Sequence, residues 1–318
     1  MSFLAEPVPT YDSLLPVLPG ISRVVADNPS VMTYHGTNSW LIEQEDGVVI
    51  IDPGPLDDAH LNGVLTAIAG RRVKHILLTH THLDHSGNSF ALQNAVKAPI
   101  VGYKQSSRSD LMPDLPLDDG DIIDGLTAVY TPGHAADHLC FQFRGQNGQK
   151  ILFSGDHVMS WSSSIVNPPD GDMLAYYRSL ELLLRRDDDV YLCGHGPLLE
   201  NPRDLVASLL GHRQFREQTI IDELQKQDWT IAALAAKLYR KDNIFLKAAA
   251  QRNVLAHLLK LVAEGIVAER EPETQLHPDI VAMMELNGSK EDTKMQRLYR
   301  DSLRTFGLCE TADRSVSL

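Results

Sequence analysis

Residues 73–85 have the sequence VKHILLTHTHLDH, which joins an apolar run directly to four side chains that can bind a metal ion. The apolar part, Val73–Thr79, predicts a buried strand, and Ser86–Ala95 predicts the start of a helix. The polar part would therefore lie on the loop at the carboxyl end of a strand, where α/β folds place their functional sites.

The spacing within this segment favours two neighbouring positions at which a metal ion could be coordinated. His80 and His82 are two residues apart, so their side chains point the same way in an extended chain. Asp84 and His85 follow as the chain turns and can face a second point. Neutral imidazoles with a carboxylate suit Zn²⁺, or Fe and Mn where more oxygen ligands are present. A polar loop that is rich in histidine by chance is the alternative, and this spacing makes it much the weaker one.

The composition is that of a soluble globular protein, with 43% apolar and 22% charged residues in a chain of 318. This length accommodates one large domain and a small one. The start, MSFLAEPVPT, has neither the basic nor the apolar region of a secretory signal, and no apolar run approaches the roughly 20 residues of a membrane span. Three separated cysteines form no disulfide framework, so we expect a cytoplasmic protein without membrane association.

Short apolar runs between turn residues predict two series of strands separated by helices. The first series is Ile21–Ala26, Ser39–Glu43, Val48–Asp52 and Ile100–Tyr103, and the second is Ile122–Ile123, Leu126–Tyr130, Leu139–Phe143, Ile151–Ser154 and Val190–Cys193. Helices are predicted at Asp57–Ala69, Asp172–Arg186 and from Pro202 to about Gln227. The proline-containing segments up to Pro19 and at Ser106–Asp119 predict irregular structure. Two similar halves, with facing sheets and outer helices, are expected.

Three later strand ends also carry a residue that can bind metal, and each has a glycine beside it. These residues are His134, Asp156 and His195. Glycine permits the sharp turns and close approach that a shared site needs, so one convergent site is predicted. Asp52 ends a neighbouring strand, and we expect it to hold the outer N–H of a ligand histidine. A helix cap or a plain turn residue is the alternative for Asp52.

The C-terminal third changes character. Thr230 predicts a helix N-cap, and a second helix ending at Gly265 with a short strand at Ile266–Glu269 outlines a winged-helix unit. This unit is basic, with seven Lys or Arg against three acidic residues from Trp229 to Arg270, whereas the whole chain carries a net charge of −13. The tail predicts helices near Ile280–Leu286 and Lys294–Phe306. We therefore expect a metal-binding domain at residues 1–200, a connecting helix at 201–228, the winged-helix domain at 229–270 and an unassigned extension at 271–318.

These motifs resemble those of the metallo-β-lactamase superfamily. The run His80-Thr81-His82-Leu83-Asp84-His85 resembles its HxHxDH signature, and His134, Asp156 and His195 match its later motifs. All seven ligand positions are filled, as in the glyoxalase-II and RNA-processing branches. The stretch 194–217 and the helical unit after it are similar to the lactamase-like endoribonucleases and their bacterial relatives. The resemblance implies an αββα sandwich followed by a small, mainly helical winged-helix domain.

The resemblance also implies two divalent metal ions, Zn in the first place with Fe or Mn as alternatives. His80, His82 and His134 would hold one ion, Asp84, His85 and His195 the other, and Asp156 would bridge both. A bridging water would lose a proton near neutral pH and become a hydroxide nucleophile. Asp84 would orient that nucleophile and accept its proton, which makes Asp84 and Asp156 the candidate catalytic residues.

Three functions are compatible with these residues. The first is a dinuclear metal hydrolase of an ester, thioester or phosphodiester, similar to glyoxalase II. The second is a single-strand-specific endoribonuclease, and the third is a regulator that binds nucleic acid or a protein partner and uses the metal domain for a ligand. The acidic total weakens the RNA alternative, and a complete ligand set weakens the regulator. Winged helices also serve in dimerisation, so a homodimer is compatible with the sequence.

Overall fold

The computed structural model describes residues 2–239, 244–270 and 301–309. The described chain forms two compact units, one drawn from Met1–Ser164 and Asp170–Gly211 and the other from Ile165–Pro169 and His212–Leu318. Among the helices in the described ranges, none combines the length and hydropathy needed to cross a bilayer. The domain boundaries predicted at residues 200, 228 and 270 stay predictions.

The first unit contains a seven-stranded sheet whose strands follow chain order. They are β1 (Leu14–Leu18), β2 (Ile21–Val25), β3 (Asn38–Gln44), β4 (Gly47–Ile51), β5 (Val73–Leu77), β6 (Ile100–Tyr103) and β7 (Leu115–Leu117). Strands β1 to β4 are antiparallel and β4 to β7 are parallel. The helices α1 (Asp58–Ile68), α2 (Leu83–Ser86) and α3 (Ser89–Val96) lie in the connections between parallel strands, as such connections require.

A six-stranded sheet completes the first unit, in the order β13-β12-β11-β10-β9-β8. Its strands are β8 (Ile122–Ile123), β9 (Leu126–Tyr130), β10 (Leu139–Arg144), β11 (Lys150–Gly155), β12 (Val190–Cys193) and β13 (Leu199–Glu200). Among these described strands only β11 and β12 pair in parallel, and the helix α4 (Met173–Leu184) connects them. Asp172 caps α4 by accepting a hydrogen bond from the backbone of Ala175.

The main core lies between the two sheets and is built from alternate residues of their strands. Trp40 of β3 and Phe153 of β11 meet there with ring centroids 5.8 Å apart. Leu41 points to the opposite face of its sheet and packs in a cluster with Val64 and Ile68 of α1. Helices therefore cover the outside of facing sheets, which is the αββα arrangement predicted from the sequence.

The second unit is a small helical domain with a three-stranded sheet. It contains most of α5 (Arg203–Leu224), with α6 (Ile231–Leu238), α7 (Ile244–Ala263), β14 (Trp229–Thr230), β15 (Val267–Arg270) and β16 (Thr305–Leu308). The sheet order is β14-β16-β15. The hydroxyl of Thr230 accepts a hydrogen bond from the backbone of Ala233, so the predicted N-cap is confirmed. Helix, helix and sheet give the outline of a winged helix.

Two segments predicted to be irregular each contain one short strand. Pro16 lies in β1 and Pro116 lies in β7, and these are the two edge strands of the seven-stranded sheet. Proline lacks the N–H of a ladder but is tolerated at an edge, where one side of the strand is unpaired. Both prolines therefore lie in strands after all, and both strands are at an edge of the sheet.

Two helix predictions also need correction. Ser86–Ala95 is divided between α2 and α3, with Gly87 and Asn88 between them. The helix predicted to end at Phe306 is wrong there, since Phe306 lies in β16 and is fully buried in the core of the second unit. Residues 294–300 of that helix, and the helix predicted at 280–286, lie outside the described residues.

Candidate metal centre

The candidate site is assembled from the carboxyl ends of five strands. Asp52 follows β4, residues 80–85 follow β5, His134 follows β9, Asp156 follows β11 and His195 follows β12. Strand ends of this kind collect at one side of facing sheets. All seven residues predicted from the sequence as metal ligands therefore come together, in two groups whose ligand atoms lie within 4.8 Å of one another.

The first group consists of three histidines. The Nδ1 atom of His82 lies 3.0 Å from Nε2 of His80 and 3.1 Å from Nε2 of His134. Three imidazole nitrogens that converge in this way are a typical set of donors for Zn²⁺ or a similar transition metal. This geometry provides one three-nitrogen face.

The second group combines two histidines with carboxylates. The Nε2 atoms of His85 and His195 are 3.3 Å apart. The Oδ2 atom of Asp84 lies 3.4 Å from His195 Nε2 and 3.7 Å from His85 Nε2. Mixed nitrogen and oxygen donors suit a harder or more variable metal than the all-histidine group does.

Asp156 faces both groups. Its Oδ2 atom lies 3.6 Å from Nε2 of His134 and 3.4 Å from Nε2 of His195, while Oδ1 lies 3.4 Å from His85. The Oδ1 atom is buried and has no hydrogen-bond partner. A buried carboxylate oxygen without a partner is costly, unless a cation binds it. Asp156 therefore faces both donor groups and carries a buried oxygen that a bound cation would satisfy.

Hydrogen bonds on the outer side of the rings orient His85 and His80. The Oδ2 atom of Asp52 accepts from Nδ1 of His85 at 2.9 Å, which directs Nε2 into the site. The same Oδ2 accepts from the hydroxyl of Thr79 at 2.7 Å, and that hydroxyl lies 3.0 Å from Nδ1 of His80. A carboxylate behind a ligand histidine is the usual support of a metal site.

His82 and His195 are held in a similar way by partners that sequence reasoning did not identify. The Nε2 atom of His82 lies 3.0 Å from Oδ2 of Asp170, and Nδ1 of His195 lies 3.2 Å from the backbone oxygen of Gly36. Asp170 follows two prolines in a stretch without periodicity, and Gly36 acts through its backbone. Neither residue carries a sequence signal that predicts such a role.

Electrostatics in the site also favour bound cations. Burial alone would raise the pKa of Asp156, but the nearby His195 and His85 lower it well below the usual value. Burial alone would lower the pKa of His195, but Asp156 and Asp84 raise it to about 9. Burial and the neighbouring imidazoles hold the pKa of His80 well below its usual value. The carboxylates of the second group are therefore stabilised by nearby positive charge, while His80 in the first group offers a neutral nitrogen.

Close packing at Gly194 brings the strand ends together. A Cβ atom at this position would lie 2.5 Å from Oδ1 of Asp156 and 2.7 Å from Cε1 of His85. Only glycine allows the backbone to approach the ligands so closely. The glycine next to His195 is thus a packing requirement of the site.

Three other side chains near the site, those of His138, Cys193 and Trp161, are assigned no ligand role. The Nε2 atom of His138 accepts a hydrogen bond from the backbone N–H of Asp156 at 3.2 Å, and its Nδ1 lies 2.9 Å from the hydroxyl of Thr131. Burial raises the pKa of the Cys193 thiol to about 11, which disfavours a thiolate ligand. Trp161 stacks on Tyr34 with ring centroids 5.0 Å apart. None of these three side chains belongs to the two donor groups found among the described residues.

The donor set fits divalent metal ions. Four histidines have their outer nitrogens engaged and their inner nitrogens converging, and a buried carboxylate oxygen between the groups lacks a hydrogen bond. Without a metal ion, the lone pairs of several of these nitrogens would face one another at about 3 Å, which is unfavourable. A metal ion that all of them coordinate explains the arrangement. The fold and the site together define a metal-binding αββα protein with a winged-helix domain.

Comparison with known proteins agrees with this class. The sequence profile of the metallo-beta-lactamase superfamily matches residues 32–195, and that of the beta-lactamase associated winged helix domain matches residues 230–273. The chain belongs to the metallo-beta-lactamase superfamily, a superfamily of metal-dependent hydrolases.

Two curated relatives are named as lactamase-like proteins. The chain is 32% identical over 245 residues to "Lactamase-like protein nscB" of Aspergillus fumigatus, covering 71% of this chain and 70% of the relative. It is 29% identical to "Beta-lactamase-like protein 2 homolog" of Drosophila melanogaster, covering 77% of this chain and 88% of the relative.

Two solved structures resemble the chain in fold. The crystal structure of a beta-lactamase domain protein from Burkholderia ambifaria has 20% identity and a TM-score of 0.70, over 96% of each chain. A metallo-beta-lactamase family protein from Thermus thermophilus has 23% identity and a TM-score of 0.66, over 80% of this chain and 97% of its own. At these identities the two structures bear on the fold alone.

Proposed function

We propose that this chain is a dinuclear metal-dependent hydrolase that cleaves an ester, thioester or phosphodiester bond. His80, His82 and His134 would hold one ion, and Asp84, His85 and His195 the other, with Asp156 shared. The observation that carries the proposal is the position of Asp156, whose two oxygens face both groups at 3.4–3.6 Å. When bound, the ions would acidify a water and polarise the scissile carbonyl or phosphoryl oxygen.

Exposure of the ligands indicates where a substrate enters. The side chains of His82 and Asp84 are 40% and 32% exposed, whereas those of His85 and His195 are fully buried. The open side of the site is therefore lined by His82 and Asp84. A substrate would approach from the side of His82 and Asp84. Asp156, whose side chain is 8% exposed, lies deeper in the site than these two residues.

We assign Asp84 a role at the attacking water. Burial alone would raise its pKa, but His85 and His195 hold that pKa far below the usual value, so the carboxylate is ionised at neutral pH. An ionised carboxylate at the open side of the site can accept a hydrogen bond from the water and so orient it. Its weak basicity makes orientation the larger part of this role, with proton acceptance as a transient step.

The RNA-cleaving alternative has less support from the second unit. Four of its basic side chains form ion pairs: Lys237 with Glu223, Arg252 with Asp301, Lys260 with Glu217 and Glu264, and Arg270 with Asp228. Two more, Arg240 and Lys241, lie outside the described residues. Paired cations attract phosphates less strongly than unpaired ones. The hydrolase of a small ester or thioester is therefore our first choice.

Metal analysis of the purified protein, combined with a small substrate panel, tests the proposal. The panel contains a thioester, a phosphodiester, a short single-stranded RNA, a lactone and a lactam. We expect two equivalents of metal and turnover of the thioester or another small ester. Replacing Lys237, Arg240 and Lys241 with Glu should leave that turnover unchanged, and a selective loss of RNA cleavage would favour the endoribonuclease. A protein that binds no divalent metal would overturn the proposal.

A further inference from the structure

Asp170 connects three separate segments around the first group of histidines. Its Oδ2 atom lies 3.0 Å from Nε2 of His82. Its Oδ1 atom accepts hydrogen bonds from the hydroxyl of Ser107 at 2.8 Å and from the backbone of Ala136 at 3.1 Å. Ser107 lies in the loop after β6, and Ala136 lies two residues beyond the ligand His134. One carboxylate thus ties His82 to both neighbouring loops.

We propose that Asp170 is a positioning residue that fixes the ring of His82 with its Nδ1 atom directed at His80 and His134. The inference rests on the metal assignment of the proposed function. A carboxylate accepts hydrogen bonds and cannot donate them, so the contact requires a proton on Nε2 of His82. That tautomer leaves the lone pair on Nδ1, the atom that lies 3.0 Å from His80 and 3.1 Å from His134.

His82 needs such a support more than the other two histidines do. Its side chain is 40% exposed, whereas His134 is 12% exposed and His80 is buried. A buried ring is fixed by its packing, but a half-exposed ring retains rotamer freedom that a metal would have to restrict on binding. A hydrogen bond to a fixed carboxylate restricts this freedom before the metal arrives.

Asp170 is itself held in place by its other contacts. Its Oδ1 atom accepts hydrogen bonds from Ser107 and Ala136, which belong to different loops. Because Ser107 and Ala136 fix Oδ1, the carboxylate cannot rotate, and Oδ2 stays directed at the ring of His82.

The test measures metal binding and the tautomer of His82, and it uses no catalytic assay. The variant Asp170→Ala removes the carboxylate, and Asp170→Asn keeps its size but removes its charge. The control is Asp172→Ala, because the Asp172 side chain caps α4 only two residues away. Zn²⁺ affinity is measured by competition with a chromogenic chelator. The tautomer is read from the ¹⁵N shifts of the His82 ring in metal-free protein at alkaline pH.

We expect Asp170→Ala to weaken Zn²⁺ binding about 10- to 100-fold and to convert His82 to a mixture of tautomers. Asp170→Asn should also weaken Zn²⁺ binding, because its single amide oxygen is held by Ser107 and Ala136 and its NH2 group then faces Nε2 of His82, which favours the tautomer with the proton on Nδ1. The Asp172→Ala control should leave affinity and tautomer unchanged while lowering the melting temperature. Wild-type affinity with an unchanged tautomer in Asp170→Ala would overturn the proposal. If Asp170→Ala does not fold, unchanged affinity in Asp170→Asn overturns it instead.

These outcomes are separable from the proposed hydrolase activity. A wild-type protein that binds Zn²⁺ with the expected dependence on Asp170, but hydrolyses no member of the substrate panel, would contradict the hydrolase and support the role of Asp170. A protein that hydrolyses a substrate, but whose Zn²⁺ affinity and His82 tautomer do not change in Asp170→Ala, would support the hydrolase and contradict the role of Asp170. The tautomer measurement needs no metal, so it decides the role of Asp170 even if metal binding fails.

Discussion

The carboxylate of Asp52 lies 2.9 Å from the Nδ1 atom of His85, and both side chains are buried. The same carboxylate reaches His80 through the hydroxyl of Thr79. Asp52 adopts a left-handed backbone conformation, with φ of 56°, at the end of β4. One residue behind the site therefore orients a histidine in each of the two donor groups.

Replacing Asp52 with Ala should weaken metal binding by about 10- to 100-fold, the usual effect of losing the partner of a ligand histidine. Both donor groups should be affected, because His85 and His80 both depend on this carboxylate. Titration with Zn²⁺ against a chelator measures the effect. The control is Asp57→Ala, which removes the N-cap of α1 and should lower stability without changing metal affinity. Equal metal affinity in both variants would contradict this prediction.

Replacing Asp156 with Asn should abolish hydrolysis and leave the fold largely intact. The amide loses the negative charge that two neighbouring cations share, so a fall of at least about 100-fold in kcat/KM is expected. Rates on the best substrate, together with circular dichroism, measure the outcome. Asp187→Asn is a suitable control, because that carboxylate is 83% exposed and pairs with Lys150 at the surface. Retention of most activity in Asp156→Asn would remove the dinuclear mechanism.

The sequence identifies the residues that converge at the site because their signal is local. His80, His82, Asp84 and His85 lie within six residues, and the other ligands each end a recognisable strand beside a glycine. The supports that act through distant contacts carry no such signal. Asp170 lies 88 residues from His82, and the backbone of Gly36 lies 159 residues from His195. Only the packed structure brings these pairs together.

Strand prediction shows the same limit. Pro16 and Pro116 lower the local preference for strands, but each lies in an edge strand where a missing N–H is tolerated. Whether a strand is at the edge depends on sheet order, which is a property of the whole fold. In the same way, Phe306 lies in a strand that pairs with two strands distant in sequence, and its side chain is buried in the core of the second unit.

Ser39, His60 and Asp12 have the connectivity of a nucleophilic triad, but we expect no nucleophilic activity there. The Ser39 hydroxyl lies 2.8 Å from His60 Nε2, and His60 Nδ1 lies 2.9 Å from Asp12. Both Ser39 and His60 are fully buried, so no substrate can reach the hydroxyl. A fluorophosphonate should therefore leave the wild-type protein unlabelled, as mass spectrometry would show.

The Ser39→Ala variant tests the structural role of the same three residues. Loss of this buried hydrogen bond should lower the free energy of unfolding by about 1–3 kcal/mol, while metal content and hydrolysis are retained. Urea unfolding measures the change. Covalent labelling of Ser39, or loss of hydrolysis at full metal content, would contradict the structural role.

Acidification should destabilise the second unit through His257. Burial lowers the pKa of this histidine to about 4, despite a contact with Glu217, and Arg213 and Lys260 also lie nearby. The unfolded state has a pKa near 6.5, so it binds the proton more tightly than the folded state does. The contribution to stability is therefore complete above pH 6.5 and is lost as the pH falls towards 4, by on the order of 3 kcal/mol. Urea unfolding at pH 7.5 and 5.0, compared with His257→Gln, isolates this contribution. An identical pH dependence in both proteins would contradict it.

Replacing Gly194 with Ala should prevent formation of the metal site without the loss of any ligand. The added Cβ would lie 2.5 Å from Oδ1 of Asp156 and 2.7 Å from His85, closer than such atoms approach. The backbone or the two ligands must therefore move, and a displacement of a few tenths of an ångström at a metal site is enough to impair it. We expect a large loss of Zn²⁺ affinity. The matched control is Gly211→Ala in α5, where a Cβ meets nothing within 4 Å and should stabilise the helix by about 0.5–1 kcal/mol. If Gly194→Ala bound Zn²⁺ as tightly as Gly211→Ala does, close approach at residue 194 would not be a requirement of the site.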